Sequence, residues 1–163
     1  MKSSDRFLIV IIIGIVLLAA GAFALTLTRP EPIYQSVDTP EGVAHNYLLA
    51  LLKEDFSLAY SYLSHNLNSY PLDTETFAEE VSRYSRSLRD GTETALSVES
   101  ARVVGSRTIV KVRESHFRSG GLFESRQWTS FFEMDLRLES GSWKVVDSDN
   151  YFARCWTQDD GCK

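Results

Sequence analysis

The stretch from Phe7 to Leu27, FLIVIIIGIVLLAAGAFALTL, holds no charge and constrains the chain more than any other segment. At a helical rise of ~1.5 Å per residue its length is ~31 Å, matching the ~30 Å hydrocarbon core of a bilayer. The expected organisation is therefore a short cytoplasmic head (1–6), a transmembrane signal anchor (7–27), a linker (28–38) and one folded domain (39–163). MKSSDR ahead of the run and Ala22-Phe23-Ala24 within it also fit a cleavable secretory signal. A signal core is usually only ~7–15 residues long, and Leu25, Thr26 and Leu27 extend the run past the cut; the uncleaved anchor is the reading taken.

Lys2 and Arg6 precede the run and Arg29 follows it, so the positive-inside rule puts the N-terminus in the cytoplasm and the domain outside. The two cysteines give a second pointer. Cys155 and Cys162 enclose a short polar loop with Gly161, and a disulfide between them fits an extracytoplasmic, oxidising space; two free thiols are the alternative.

Charge excludes one class of partner. Lys2, Asp5 and Arg6 are the only charges before Thr28, which leaves a formal −6 on the remainder. A mildly acidic domain without a basic cluster does not bind nucleic acid, which needs Lys and Arg against phosphate. The bilayer is the expected partner through residues 7–27; a small apolar ligand, a membrane protein or a second copy of the chain are the others.

The domain reads as helices first and strands after. Pro30 and Pro32 make the linker an extended tether. Thr39 caps a helix with Pro40 in its first turn, and Val43, Tyr47, Leu48, Leu51 and Leu52 form its apolar face. Asp55 starts a second helix carrying Phe56, Ala59, Tyr60 and Leu63. Asp73 or Thr74 caps a third, with Phe77, Val81, Tyr84 and Leu88 as a stripe and Gly91 as the stop. Its arginines, Arg83, Arg86 and Arg89, read as a solvated face. From Thr94 the period becomes two. Strands are expected at 96–104, 108–117, 122–138 and 143–152, with turns at Gly105-Ser106, Ser119-Gly120-Gly121 and Ser140-Gly141. The class is α+β: three helices packed on a four-stranded antiparallel sheet.

Ala44-His45-Asn46-Tyr47-Leu48-Leu49-Ala50-Leu51, then Asp55-Phe56-Ser57-Leu58-Ala59-Tyr60-Ser61-Tyr62-Leu63-Ser64, and the closing Gly141-Ser142-Trp143-Lys144-Val145-Val146-Asp147 give the domain a likeness. It resembles the cone-shaped superfamily of nuclear transport factor two, ketosteroid isomerase and the polyketide cyclases, and looks most like its bacterial membrane-anchored members. That resemblance implies a bent sheet wrapped around a cavity and frequent dimers. It does not fix activity, since the superfamily hosts both enzymes and binding modules.

Alternation then selects the candidate pocket residues. Glu114 and His116 share a strand face with Val110 and Val112, Trp128 shares one with Phe132, and Asp147 and Tyr151 share one with Trp143 and Val145. With those faces inward, Glu114, His116, Trp128, Asp147 and Tyr151 converge on one end of the cone. A few polar groups among apolar walls suit a small-molecule pocket, and a carboxylate held there is a candidate general base. No metal site is expected, because His45, His65 and His116 lack ligand spacing; no phosphate loop or nucleophile elbow is present, and no cofactor is implied. The Asp, Tyr and protonated Asp of ketosteroid isomerase chemistry are not recognisable. The expected function is a tethered, non-catalytic ligand-binding or assembly domain. The alternatives are an isomerase or hydrolase using a pocket carboxylate such as Asp147, and a structural dimerisation module.

Overall fold

A computed structural model describes residues 3–27, 32–85, 93–119 and 125–162. The chain separates into two compact units, Met1–Ile33 and Tyr34–Lys163.

The first unit is one helix, α1 (Ser3–Leu27). Among the described residues no helix is long and apolar enough to cross a membrane. The membrane span expected over 7–27 is thus not shown by the structure.

The second unit begins earlier than the expected domain start at Thr39. Gln35 donates its N–H to Asn46 Oδ1 (2.7 Å) and accepts from Asn46 Nδ2 (2.8 Å), which pins the supposed end of the linker to the first domain helix. That helix, α2 (Pro40–Leu52), starts as the sequence requires: Thr39 Oγ1 accepts from the Gly42 N–H at 3.1 Å, and Pro40 occupies the first turn. It is buried nearly all round, from Gly42 to Leu51, and not on one face only; Leu52, expected in the apolar face, is exposed. The cause is that α2 contacts all four strands and α3 as well.

The next two helices, α3 (Phe56–Ser61) and α4 (Thr74–Tyr84), are capped by Asp55 and Asp73, whose carboxylates accept from Leu58 N–H (3.1 Å) and Thr76 N–H (2.8 Å). α4 is shorter than expected. Ser85 keeps an N–H bond to Val81 but takes an extended backbone (ψ 115°), so the helix ends there. Arg83 is exposed; Arg86, Leu88, Arg89 and Gly91 lie outside the described residues.

The sheet is an antiparallel meander in the order β1 (Glu93–Val104), β2 (Arg107–Ser119), β3 (Ser125–Glu139) and β4 (Ser142–Ser148). Ser140 (φ +50°) and Gly141 (φ +84°) turn β3 into β4 with the left-handed backbone that tight hairpins need. Gly120, Gly121 and Leu122, expected in the preceding turn and the start of β3, lie outside the described residues. Leu63 and Val145 form a parallel bridge, with Ser64 N–H on Val145 O and Val145 N–H on Tyr62 O, both 2.9 Å; this engages the edge of β4. Inward residues of β2 and β3 (Val110, Val112, Phe132, Met134, Leu136) pack with Tyr47, Leu48 and Leu51 of α2 in one core. Phe77 of α4 stacks on Trp156 at 5.2 Å, in a short 3-10 helix (Arg154–Thr157). The disulfide Cys155–Cys162 closes the C-terminal loop, with Cα atoms 5.0 Å apart.

β4 corrects the sequence reading. It ends at Ser148, short of Phe152, and carries a bulge: Asp135 pairs with Asp147 but Leu136 pairs with Val145, so Val146 is the extra residue. A bulge adds one residue and reverses the alternation beyond it. Val145 and Ser148 are therefore both buried, and Asp147 leaves the inner face.

Candidate functional site

Four of the five residues singled out by alternation come together. Glu114 is only 2 % exposed, the most buried acid among the described residues. β2–β3 pairing sets Glu114 opposite Ser130 and His116 opposite Trp128, and side chains facing one another across an antiparallel pair are close enough to interact. Ser130 Oγ donates to Glu114 Oε2 at 3.2 Å, and His116 Nε2 lies 3.3 Å from Ser130 Oγ and 3.4 Å from Glu114 Oε2. His116 stacks on Trp128, ring centroids 4.7 Å apart and planes 12° from parallel. Trp128 itself is 45 % exposed, so it stands at the rim and not in the core.

Tyr151 joins from the loop after β4. Its hydroxyl donates to Glu114 Oε1 at 2.6 Å, and the Asn150 amide donates to Glu114 Oε2 at 3.3 Å. Tyr151 holds a left-handed backbone (φ +59°), an uncommon conformation for a bulky residue that persists only where the surroundings over-determine it. Here they do. The Tyr47 hydroxyl of α2 donates to Tyr151 O at 2.7 Å, and the Tyr151 ring packs 5.7 Å from that of Phe132. Burial pushes the Tyr47 phenol far above its ordinary pKa, so it remains a donor at any physiological pH.

Asp147 stands apart from this cluster. The bulge puts it opposite Asp135, where it accepts from the Ser148 N–H at 2.8 Å. Partial burial raises its pKa first; Asp135 and Asp149 add to the rise, while the Ser148 N–H and Arg154 oppose it. The sequence reading also missed Asn150, Ser130 and Tyr47 as members of the network. Asn150 and Tyr47 carry no sequence signal for it, whereas Ser130 alternates with Trp128 and Phe132.

The arrangement is not a nucleophilic triad. A serine activated by histidine needs the far ring nitrogen held by an acid. Here Nε2 faces both Ser130 and Glu114, and Nδ1 is buried with no hydrogen-bond partner among the described residues. Nor does Glu114 offer a free base: Oε1 accepts from Tyr151, and Oε2 from Ser130 and Asn150 beside His116. Next to the cluster lies a cleft of about 570 Å³, lined by Tyr84, Ser85, Asn150, Phe152 and Arg154 among others. Asn150 belongs to both. No group of His, Cys, Asp and Glu that could hold a metal occurs among the described residues.

No protein-family model matches the chain, and no curated protein does. Solved structures similar to it include a SEC-C motif-containing protein from Rhodopseudomonas palustris (18 % identity, TM-score 0.47, 71 % of this chain and 81 % of that one). An NTF-2-like protein of unknown function from Shewanella oneidensis is 9 % identical, with a TM-score of 0.43 over 65 % of this chain and 90 % of that one. An LEH-like epoxide hydrolase from M. tuberculosis is 11 % identical, with a TM-score of 0.37 over 66 % of this chain and 80 % of that one. Structures of the nuclear transport factor two type are thus among its neighbours, as in the resemblance read from the sequence.

Proposed function

We propose that this chain is a membrane-tethered, non-catalytic ligand-binding domain, held by the helix over 7–27 on the extracytoplasmic face. The observation that carries the binding reading is the cleft of about 570 Å³ whose wall includes Asn150, itself anchored on the buried Glu114. That volume lies within the ~300–1,000 Å³ of small-molecule sites. Tyr84 offers apolar surface with the edge of the buried Phe152, and Asn150 offers a fixed polar group beside Asp149 and Arg154. Catalysis is disfavoured because every oxygen of Glu114 is engaged and Asp147 lies outside the cluster. The uncharged run from Phe7 to Leu27 supports insertion in lipid, and the Cys155–Cys162 disulfide supports an oxidising compartment.

A fragment mixture of small apolar compounds titrated into isotope-labelled protein tests the binding reading. Shifts confined to the Asn150 side-chain amide, Tyr84, Phe152 and Arg154 are expected. Shifts elsewhere, or none across the mixture, overturn it.

A further inference from the structure

We infer that the domain also lies against the lipid surface through a second face, the groove between the β3–β4 hairpin and the start of α2. This rests on the proposed insertion of 7–27. The groove, about 610 Å³, is lined by Val37, Tyr62, Leu138, Trp143 and Lys144 among others. Val37 is 51 % and Leu138 54 % exposed, so both walls of the groove carry apolar surface. Beside Val37 along the chain, Tyr34 is exposed, with Lys53 Nζ 5.4 Å from its ring centroid. Lys144 Nζ donates to Ser61 O at 2.6 Å, which lays its stem along the groove. Tyrosine and tryptophan at a polar–apolar boundary, with lysines whose stems lie on apolar surface, are the side chains that settle at the level of lipid headgroups.

Chain length keeps the groove close to an inserted anchor. Only six residues separate Leu27 from Tyr34, a reach of at most ~25 Å when fully extended. A groove that begins at Val37 is therefore confined near the bilayer whenever 7–27 is inserted. Asp38, also on its wall, already accepts from the Ser36 hydroxyl at 2.6 Å. With the portion after Thr28 at a formal −6, attachment is through apolar and aromatic contact and not through attraction to anionic lipid.

The full chain reconstituted in phosphatidylcholine vesicles with brominated acyl chains tests this. The chain has three tryptophans (Trp128, Trp143, Trp156) and none before Trp128, so any quenching of indole emission reports on the domain. A loss of up to about a third of the emission is expected, abolished in Trp143→Phe and kept in Trp128→Phe, because Trp143 is one indole of three. Leu138→Asp, at an exposed position, is expected to reduce quenching with the melting temperature unchanged. Adding phosphatidylserine is expected to leave quenching unchanged, and an increase overturns the apolar mode of contact. Protein that resists carbonate extraction yet shows no quenching, or quenching that survives Trp143→Phe, overturns the inference while insertion stands. Release by carbonate overturns insertion and this inference with it.

Discussion

Tyr151→Phe isolates the bond on which the buried cluster depends. The substitution removes one hydroxyl and leaves the ring against Phe132, so no cavity follows. What disappears is a 2.6 Å hydrogen bond to Glu114 Oε1, whose side chain is sealed from water. A hydrogen bond to a carboxylate is worth ~1.5–3 kcal/mol, and the upper part of that range applies where the abandoned acceptor cannot turn to solvent. For a domain of this size ~4 °C of melting temperature accompanies each kcal/mol, so a fall of roughly 9–12 °C is expected. Tyr60→Phe is the control. It deletes the same atom, but the lost partner is Pro71 O in a partly exposed place (2.9 Å), and its cost is expected at ~0.5–1.5 kcal/mol. Chemical denaturation of both variants with the wild type gives the comparison. If Tyr151→Phe costs no more than Tyr60→Phe, the Tyr151 hydroxyl does not hold Glu114 Oε1.

Three further outcomes follow from other parts of the fold. Gly42→Ala drives a Cβ into the Ser36 carbonyl and is expected to cost ~1–3 kcal/mol in denaturation, because the atom met is backbone and not the end of a flexible side chain. Cys155→Ser with Cys162→Ser, or reduction of the wild type, opens a short loop whose closure is worth ~2.5 kcal/mol in the chain-entropy model; an unchanged melting temperature after reduction contradicts it. Asp147 binds its proton more tightly folded than unfolded, so its contribution favours folding fully below its ordinary value of 3.8 and is lost as pH rises through the raised folded value. Asp147→Asn is expected to be more stable than the wild type at pH 7, with the difference shrinking on acidification. A variant less stable than the wild type at pH 7 refutes that sign.

What the sequence discloses here is what adjacent residues decide. Thr39, Asp55 and Asp73 are recognisable caps because each acts on an N–H three residues along its own helix. The Glu114–His116 face is legible because β2 and β3 alternate without interruption through the pairing Glu114 with Ser130. Asp147 was misplaced because a period of two has no means of showing an inserted residue at Val146, and a slip of one reverses the face. The role of Asn150 was hidden for a different reason: it reaches Glu114 from a turn whose shape depends on Tyr47, 104 residues away from Tyr151 in sequence. The docking of Gln35 on Asn46, eleven residues apart, is likewise set by a contact between side chain and backbone and not by propensity.

The tethered, outward-facing arrangement is most directly tested by protease added to intact bacterial spheroplasts expressing the full chain. Expected is removal of the domain after Thr28 with a cytosolic marker protein left whole, and a membrane-retained N-terminal fragment. A domain protected until the spheroplasts are lysed contradicts that arrangement.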